Sequence, residues 1–182
     1  MRSSAMVLCL ASCIALSACN RKPGIDAKNE SAESVAKKLV ASDLKPRPGR
    51  WESAMKIEKM EMPGMPPQAQ AAMQEALGVT KTFASCLTPE QVNRPNAGFF
   101  GSQGSGCTYQ HFTMAGGTID AEMTCDRAPT QMHMTMQGTY SNDNYSIRVN
   151  NQGAIAPGKT MSTTMAIDSR RVGDCNGTEA NK

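Results

Sequence analysis

The run Met132-His133-Met134-Thr135-Met136 places three thioethers on alternate residues. In an extended chain they share one face, about 7 Å apart. Soft sulfur donors suit Cu(I), and His133 adds a nitrogen, so the run is a candidate soft-metal site. A second group, Met60, Met62 and Met65, flanks a Pro-Gly turn that could swing its sulfurs together. The same alternation also describes a core, because methionine fills irregular apolar space in a chain with only four Phe, three Tyr and one Trp. Exposed methionines at 60–65 would instead form an adaptable apolar patch for a partner or a lipid.

Acid–base chemistry has little to work with. His111 and His133 are the two histidines, and each falls at opposite parity to apolar neighbours, which places them on a solvent-facing surface. Asp120 and Glu122 alternate in the same way along the wet side of a strand. The sequence holds no nucleophile elbow, no HExxH and no EF-hand loop. Gly98 to Gly106 is rich in glycine and serine but lacks the spacing of a phosphate or dinucleotide cradle. The chain is therefore expected to be non-enzymatic and to need no cofactor. The remaining enzymatic alternative is a hydrolase with His111 or His133 in a cleft beside Ser, Asp or Glu.

The seven cysteines divide by position. Residues 1–18 carry Arg2 and then a short apolar stretch, Met6 to Leu16, too short to span a bilayer and suited to an export signal. The segment ends in Leu16-Ser17-Ala18-Cys19, which resembles the bacterial lipobox. That resemblance implies cleavage before Cys19, acylation of its thiol and amine, and membrane attachment through several acyl chains. Asn20, in place of Asp, points to the outer membrane, with the protein facing the periplasm. An ordinary secretory signal cut near the same place is the alternative. Cys86, Cys107, Cys125 and Cys175 then form an even set in an exported chain, which implies two disulfides and allows three pairings. No pair is spaced as a zinc site.

The elements that position these residues follow from periodicity. Residues 19–48 are polar, with seven Lys or Arg against four Asp or Glu between 20 and 48, and suit a tether holding a domain off the membrane. One short helix fits Ser31 to Ala41, where Val35 and Leu39 lie one turn apart. From Gly49 to the end at 182 the texture is that of a β domain. Arg50 to Glu58 alternates, Gln68 to Leu77 fits a helix, and Thr80 to Leu87 fits a strand. Thr88-Pro89-Glu90-Gln91 fits a capping box. Cys107 to Met114 and Thr118 to Cys125 flank Ala115-Gly116-Gly117 as a hairpin, with further strands at 131–140, 145–150 and 159–172. This predicts an all-β fold: a curved or partly closed antiparallel sheet of six or seven strands with a short helical insertion.

On this hairpin Cys107 and Cys125 lie opposite each other, a geometrically demanding site for a disulfide. The favoured pairing is Cys86–Cys107, tying down the glycine loop, with Cys125–Cys175 fastening the C-terminal end.

Several short motifs occur in one order: Pro48-Gly49-x-Trp51-Glu52, Met62-Pro63-Gly64-Met65-Pro66-Pro67, Ser85-Cys86-Leu87-Thr88-Pro89-Glu90, Gly106-Cys107-Thr108-Tyr109 and Arg170-Arg171-Val172-Gly173-x-Cys175. Over about Pro48 to Cys175 the chain resembles domain-of-unknown-function family 3617, small exported and lipoprotein-like proteins of Gram-negative bacteria. The resemblance implies an envelope location and a compact Cys-stapled domain, and carries no reaction, ligand or catalytic residue. A formal charge of +3 and few aromatics exclude a dedicated nucleic-acid binder. The expected role is a membrane-anchored envelope protein whose β domain binds a protein partner or an apolar ligand.

Overall fold

The computed structural model describes residues 24–94, 106–127, 130–156 and 158–179. The expected signal segment and Cys19 lie outside these residues. In chain order the elements are β1 (Gly24–Ser31), α1 (Ala32–Val40), β2 (Gly49–Glu61), α2 (Pro67–Leu77), β3 (Lys81–Leu87), α3 (Pro89–Asn93), β4 (Cys107–Ala115), β5 (Thr118–Arg127), β6 (Thr130–Tyr140), β7 (Asn144–Ala156) and β8 (Lys159–Gly173). All eight strands form one sheet in the order β1-β4-β5-β6-β7-β8-β2-β3. Every neighbouring pair is antiparallel.

The predicted sheet is present with two corrections. There are eight strands rather than six or seven, and β1 and β3 are separate edges that do not close the sheet. The additional strand is β1, which comes from the segment read as a tether. Ile25 and Ala27 turn inward and are buried, while Gly24, Asp26 and Lys28 face out. The alternation then fails at Asn29, whose φ of 53° is left-handed, opposite an irregularity at Gln110 on β4. Two inward residues are too few to register as a strand in so polar a segment.

α1 also belongs to the domain. The Ser31 side chain caps its first turn by accepting from the Ser34 N–H. Its one apolar stripe, Ala32, Val35 and Leu39, is buried in the main core. Burial of Val35 and Leu39 contributes about 1.5–3 kcal/mol each. The chain after α1 passes the β6–β7 turn, where the Asn142 amide donates to the carbonyls of Asp43 and Lys45 at 2.8 and 2.7 Å. β1 and α1 therefore belong to the same domain as β2–β8, and the expected boundary at Gly49 falls inside the fold.

The core lies on one face, built from Phe112, Met114, Ile119, Ala121, Met123, Met134, Met136, Ile147 and Val149 around the α1 stripe. The bulge at Gln110 lets both Tyr109 and Phe112 point inward, where their rings meet edge to face at 5.2 Å. α2 is seated by polar contacts, and none of its residues is buried. β2 runs on beyond the end of β3, and α2 covers the backbone left open there. Gln74 Oε1 accepts from the Met60 N–H at 2.9 Å, and its amide donates to the Glu58 carbonyl at 3.2 Å.

Candidate functional site

The methionine run splits across the sheet. Met134 and Met136 are buried in the core, and Met132 is half-buried against it. His133 points from the opposite face, where its Nε2 lies 2.8 Å from Glu122 Oε1. The period of two that aligns the sulfurs necessarily turns His133 away from them, so the four residues are not one ligand set. Met62 and Met65 are joined by a backbone turn, with the Met65 N–H donating to the Met62 carbonyl at 3.1 Å. Among the described residues no group of three His, Cys, Asp or Glu is arranged to hold a metal ion.

Both histidines lie on the outer face, with the acids predicted there. His111 Nε2 bonds Asp120, and its Nδ1 lies 3.6 Å from Glu122, which also meets His133. The Gln137 amide and then His111 hold the Asp120 carboxyl below the usual carboxylate range. These side chains are roughly 40–50% exposed on an open sheet surface, a solvated ladder of the kind that screens its own charges.

The disulfides are Cys86–Cys175 and Cys107–Cys125, so the expected pairing of Cys86 with Cys107 and of Cys125 with Cys175 is corrected. The register explains both bonds. Cys107 and Cys125 are direct cross-strand partners with Cα atoms 4.0 Å apart, the close approach of a pair that shares no backbone hydrogen bonds. Cys86 faces Arg50 on β2, and Arg50 faces Gly173 on β8, so Cys175 needs to cross only one strand.

A groove of about 770 Å³ lies on the core-side face of the sheet, beside Tyr145, which packs against the core. Four adjacent strands line it with Asn144–Ser146, Asp168–Arg170, Glu52–Ala54 and Thr82–Ala84. Tyr145, Ser169, Ser53 and Phe83 form one register row through it. The Ser53 and Ser169 hydroxyls satisfy each other at 2.7 Å. Phe83, on the free edge strand β3, is 48% exposed, an unusual state for an aromatic side chain on a strand. At its margin Arg170 pairs with Glu52 at 3.3 Å. Neither histidine lines the groove. Its chemistry is that of a mostly apolar slot with a polar margin, which suits binding. The sequence gives no local sign of it, because its four contributing segments are separated by long stretches of chain.

Three of the ordered motifs, at 48–52, 85–90 and 170–175, meet beside this groove and are occupied by architecture. Gly49 has a φ of 138°, and a Cβ there would overlap the Gly173 carbonyl and lie 2.6 Å from Arg171 Nε. Arg171 Nε donates to the Pro48 carbonyl at 2.7 Å, and its terminal nitrogen donates to Asp174. The Trp51 indole donates to the Arg47 carbonyl at 3.0 Å and stacks on Tyr145 at 6.0 Å. Thr88 and Gln91 form the predicted capping box, with bonds of 2.8 and 3.2 Å. The Glu179 carboxylate, its side chain fully enclosed, accepts from the N–H groups of Asn176 and Gly177 and faces Arg50.

No curated protein and no solved structure matches the chain. The family described as proteins of unknown function, DUF3617, matches residues 46–175, which include β2 through β8 and both disulfides. The match covers the motifs whose side chains and backbone lock β2, β3 and β8 together, and on that evidence the chain belongs to the DUF3617 family.

Proposed function

We propose that this protein is a non-enzymatic, lipid-anchored component of the bacterial envelope, facing the periplasm, whose β domain binds an apolar ligand in the β7–β8–β2–β3 groove. The half-exposed Phe83 beside that groove carries the reading. A ring half in water on an edge strand forgoes about half of its burial stabilisation, about 1 kcal/mol, and recovers it when an apolar group covers it. The lipobox at Leu16–Cys19 supports the anchor, and the two disulfides suit an oxidising compartment.

Titration with an environment-sensitive apolar dye tests the binding. The expected result is saturable uptake of one dye per chain, weakened about tenfold or more by Phe83→Asp with the thermal midpoint held. That factor corresponds to about 1.4 kcal/mol. Absence of saturable uptake, or uptake indifferent to Phe83→Asp, contradicts the reading.

A further inference from the structure

The two free edges of the sheet are guarded very differently. Exposed strand edges are ordinarily blunted by charges, irregular backbone or a covering element, because an unguarded edge pairs with other chains. β1 has all three: Asp26, Lys28 and Glu30 along its length, the left-handed Asn29, and α1 packed against it. β3 has Lys81 and nothing more. It pairs with β2 from Lys81 to Leu87 without a bulge, and it holds no proline. Among the described residues, β2 is the one element that packs along its length, and no turn or loop backbone bonds to it. Alternate residues of β3 therefore direct their N–H and C=O groups away from the sheet. Lys81 and Ser85 share the groove face of this edge with Phe83. Phe83 and the preceding Val79 are exposed large apolar side chains. Lys81 is exposed as well, and has no ion pair among the described residues.

We propose that β3 is an edge for strand addition, which pairs antiparallel with an extended segment of another polypeptide. The partner's side chain opposite Phe83 is apolar and reaches the groove, and its side chain opposite Lys81 is acidic. This deepens the groove reading above and rests on it. Backbone pairing supplies affinity whatever the partner's sequence, and the slot beside the strand selects the side chain. An added strand brings a Cβ to about 5 Å from that of Phe83 on the same face, so an apolar residue there covers the ring. In antiparallel pairing, the partner residue two positions further on lies opposite Lys81. The recognised pattern, read from the N-terminal side, is therefore apolar-x-acidic. A second copy of the chain fits this edge less well. Lys81–Leu87 contains no Asp or Glu, and a register that sets Phe83 against Phe83 leaves Lys81 facing Ser85.

Fluorescence anisotropy of the full mature protein with a labelled peptide, Thr-Val-Thr-Leu-Thr-Glu-Thr-Val-Thr, tests the proposal. Saturable binding is expected. Lys81→Glu should weaken it at least about threefold, and a peptide with Lys in place of Glu should restore it. N-methylation of alternate peptide residues removes the donors from one side of the peptide at a time. One of the two alternate sets should weaken binding at least about tenfold, and the other should not. The apolar dye of the preceding test reports on the groove separately, because Lys81 does not line it. Dye uptake should hold in Lys81→Glu, and the peptide should displace bound dye. Dye uptake without peptide binding, a peptide that leaves bound dye in place, or an equal response to both N-methylated sets overturns strand addition and leaves the groove reading standing. Binding indifferent to Lys81→Glu overturns the acidic position in the pattern. Absence of both dye uptake and peptide binding overturns the two readings together. Sedimentation of the protein alone as a dimer, lost in Phe83→Asp, assigns the edge to a second copy and overturns the proposal.

Discussion

Gly49 shows how much of the motif chemistry is steric at the scale of single residues. Its φ of 138° and its contact with β8 leave no room for a side chain. Gly49→Ala is expected to cost about 1–3 kcal/mol, measured as a lower denaturation midpoint with unchanged disulfides. Glu179 gives a pH prediction of definite sign. The Asn176 N–H, then Gly177 and Arg50, hold its carboxyl below the ordinary value of 4.5. Its contribution is full above that value and is lost as the pH falls through the folded-state pKa. Glu179→Gln should therefore flatten the loss of stability as the pH falls below 4.5, and an unchanged slope contradicts the assignment. The legible residues were those whose role is local. Thr88 and Gln91 cap a turn within four residues, and Gly116 and Gly117 supply the positive φ values of a hairpin. Phe83 was not legible, because its exposure depends on β3 being an edge, and strand order is a long-range property.

Among the elements, periodicity located seven strands and the helix that became α2. β1 escaped because its inward face holds only Ile25 and Ala27 before Asn29 interrupts the pattern. α1 was legible as a helix from Val35 and Leu39, while its attachment to the core was not, since the surface it covers is assembled from β1, β4 and more distant strands. The disulfides teach the same lesson. The hairpin placed Cys107 opposite Cys125 in the sequence itself, whereas Cys86–Cys175 requires β2 to lie between β3 and β8. Non-reducing peptide mapping should recover Cys86 linked to Cys175 and Cys107 linked to Cys125. Replacing the Cys107–Cys125 pair with serines is expected to cost about 3 kcal/mol, and replacing Cys86–Cys175 about 4–5 kcal/mol, because the latter closes the longer loop. Recovery of Cys86 linked to Cys107 would contradict the register.

At the scale of the whole molecule, the sheet divides into a filled half and an open half. β4 to β7, with β1 and α1, enclose a methionine-rich core, which absorbs Met134 and Met136 as packing. β8, β2 and β3 extend beyond it and form the groove with β7. The family motifs fasten this second half through Arg171, Gly49, Trp51 and Cys86–Cys175, which keeps a thinly covered sheet rigid where it would receive a ligand. Native mass spectrometry of the protein gently extracted from envelopes tests the central claim of an anchored, ligand-binding domain most directly. The account predicts acyl mass on Cys19 and one retained apolar molecule, the latter lost in Phe83→Asp. A chain without acyl mass, or an acylated chain empty of any apolar molecule in both forms, would contradict it.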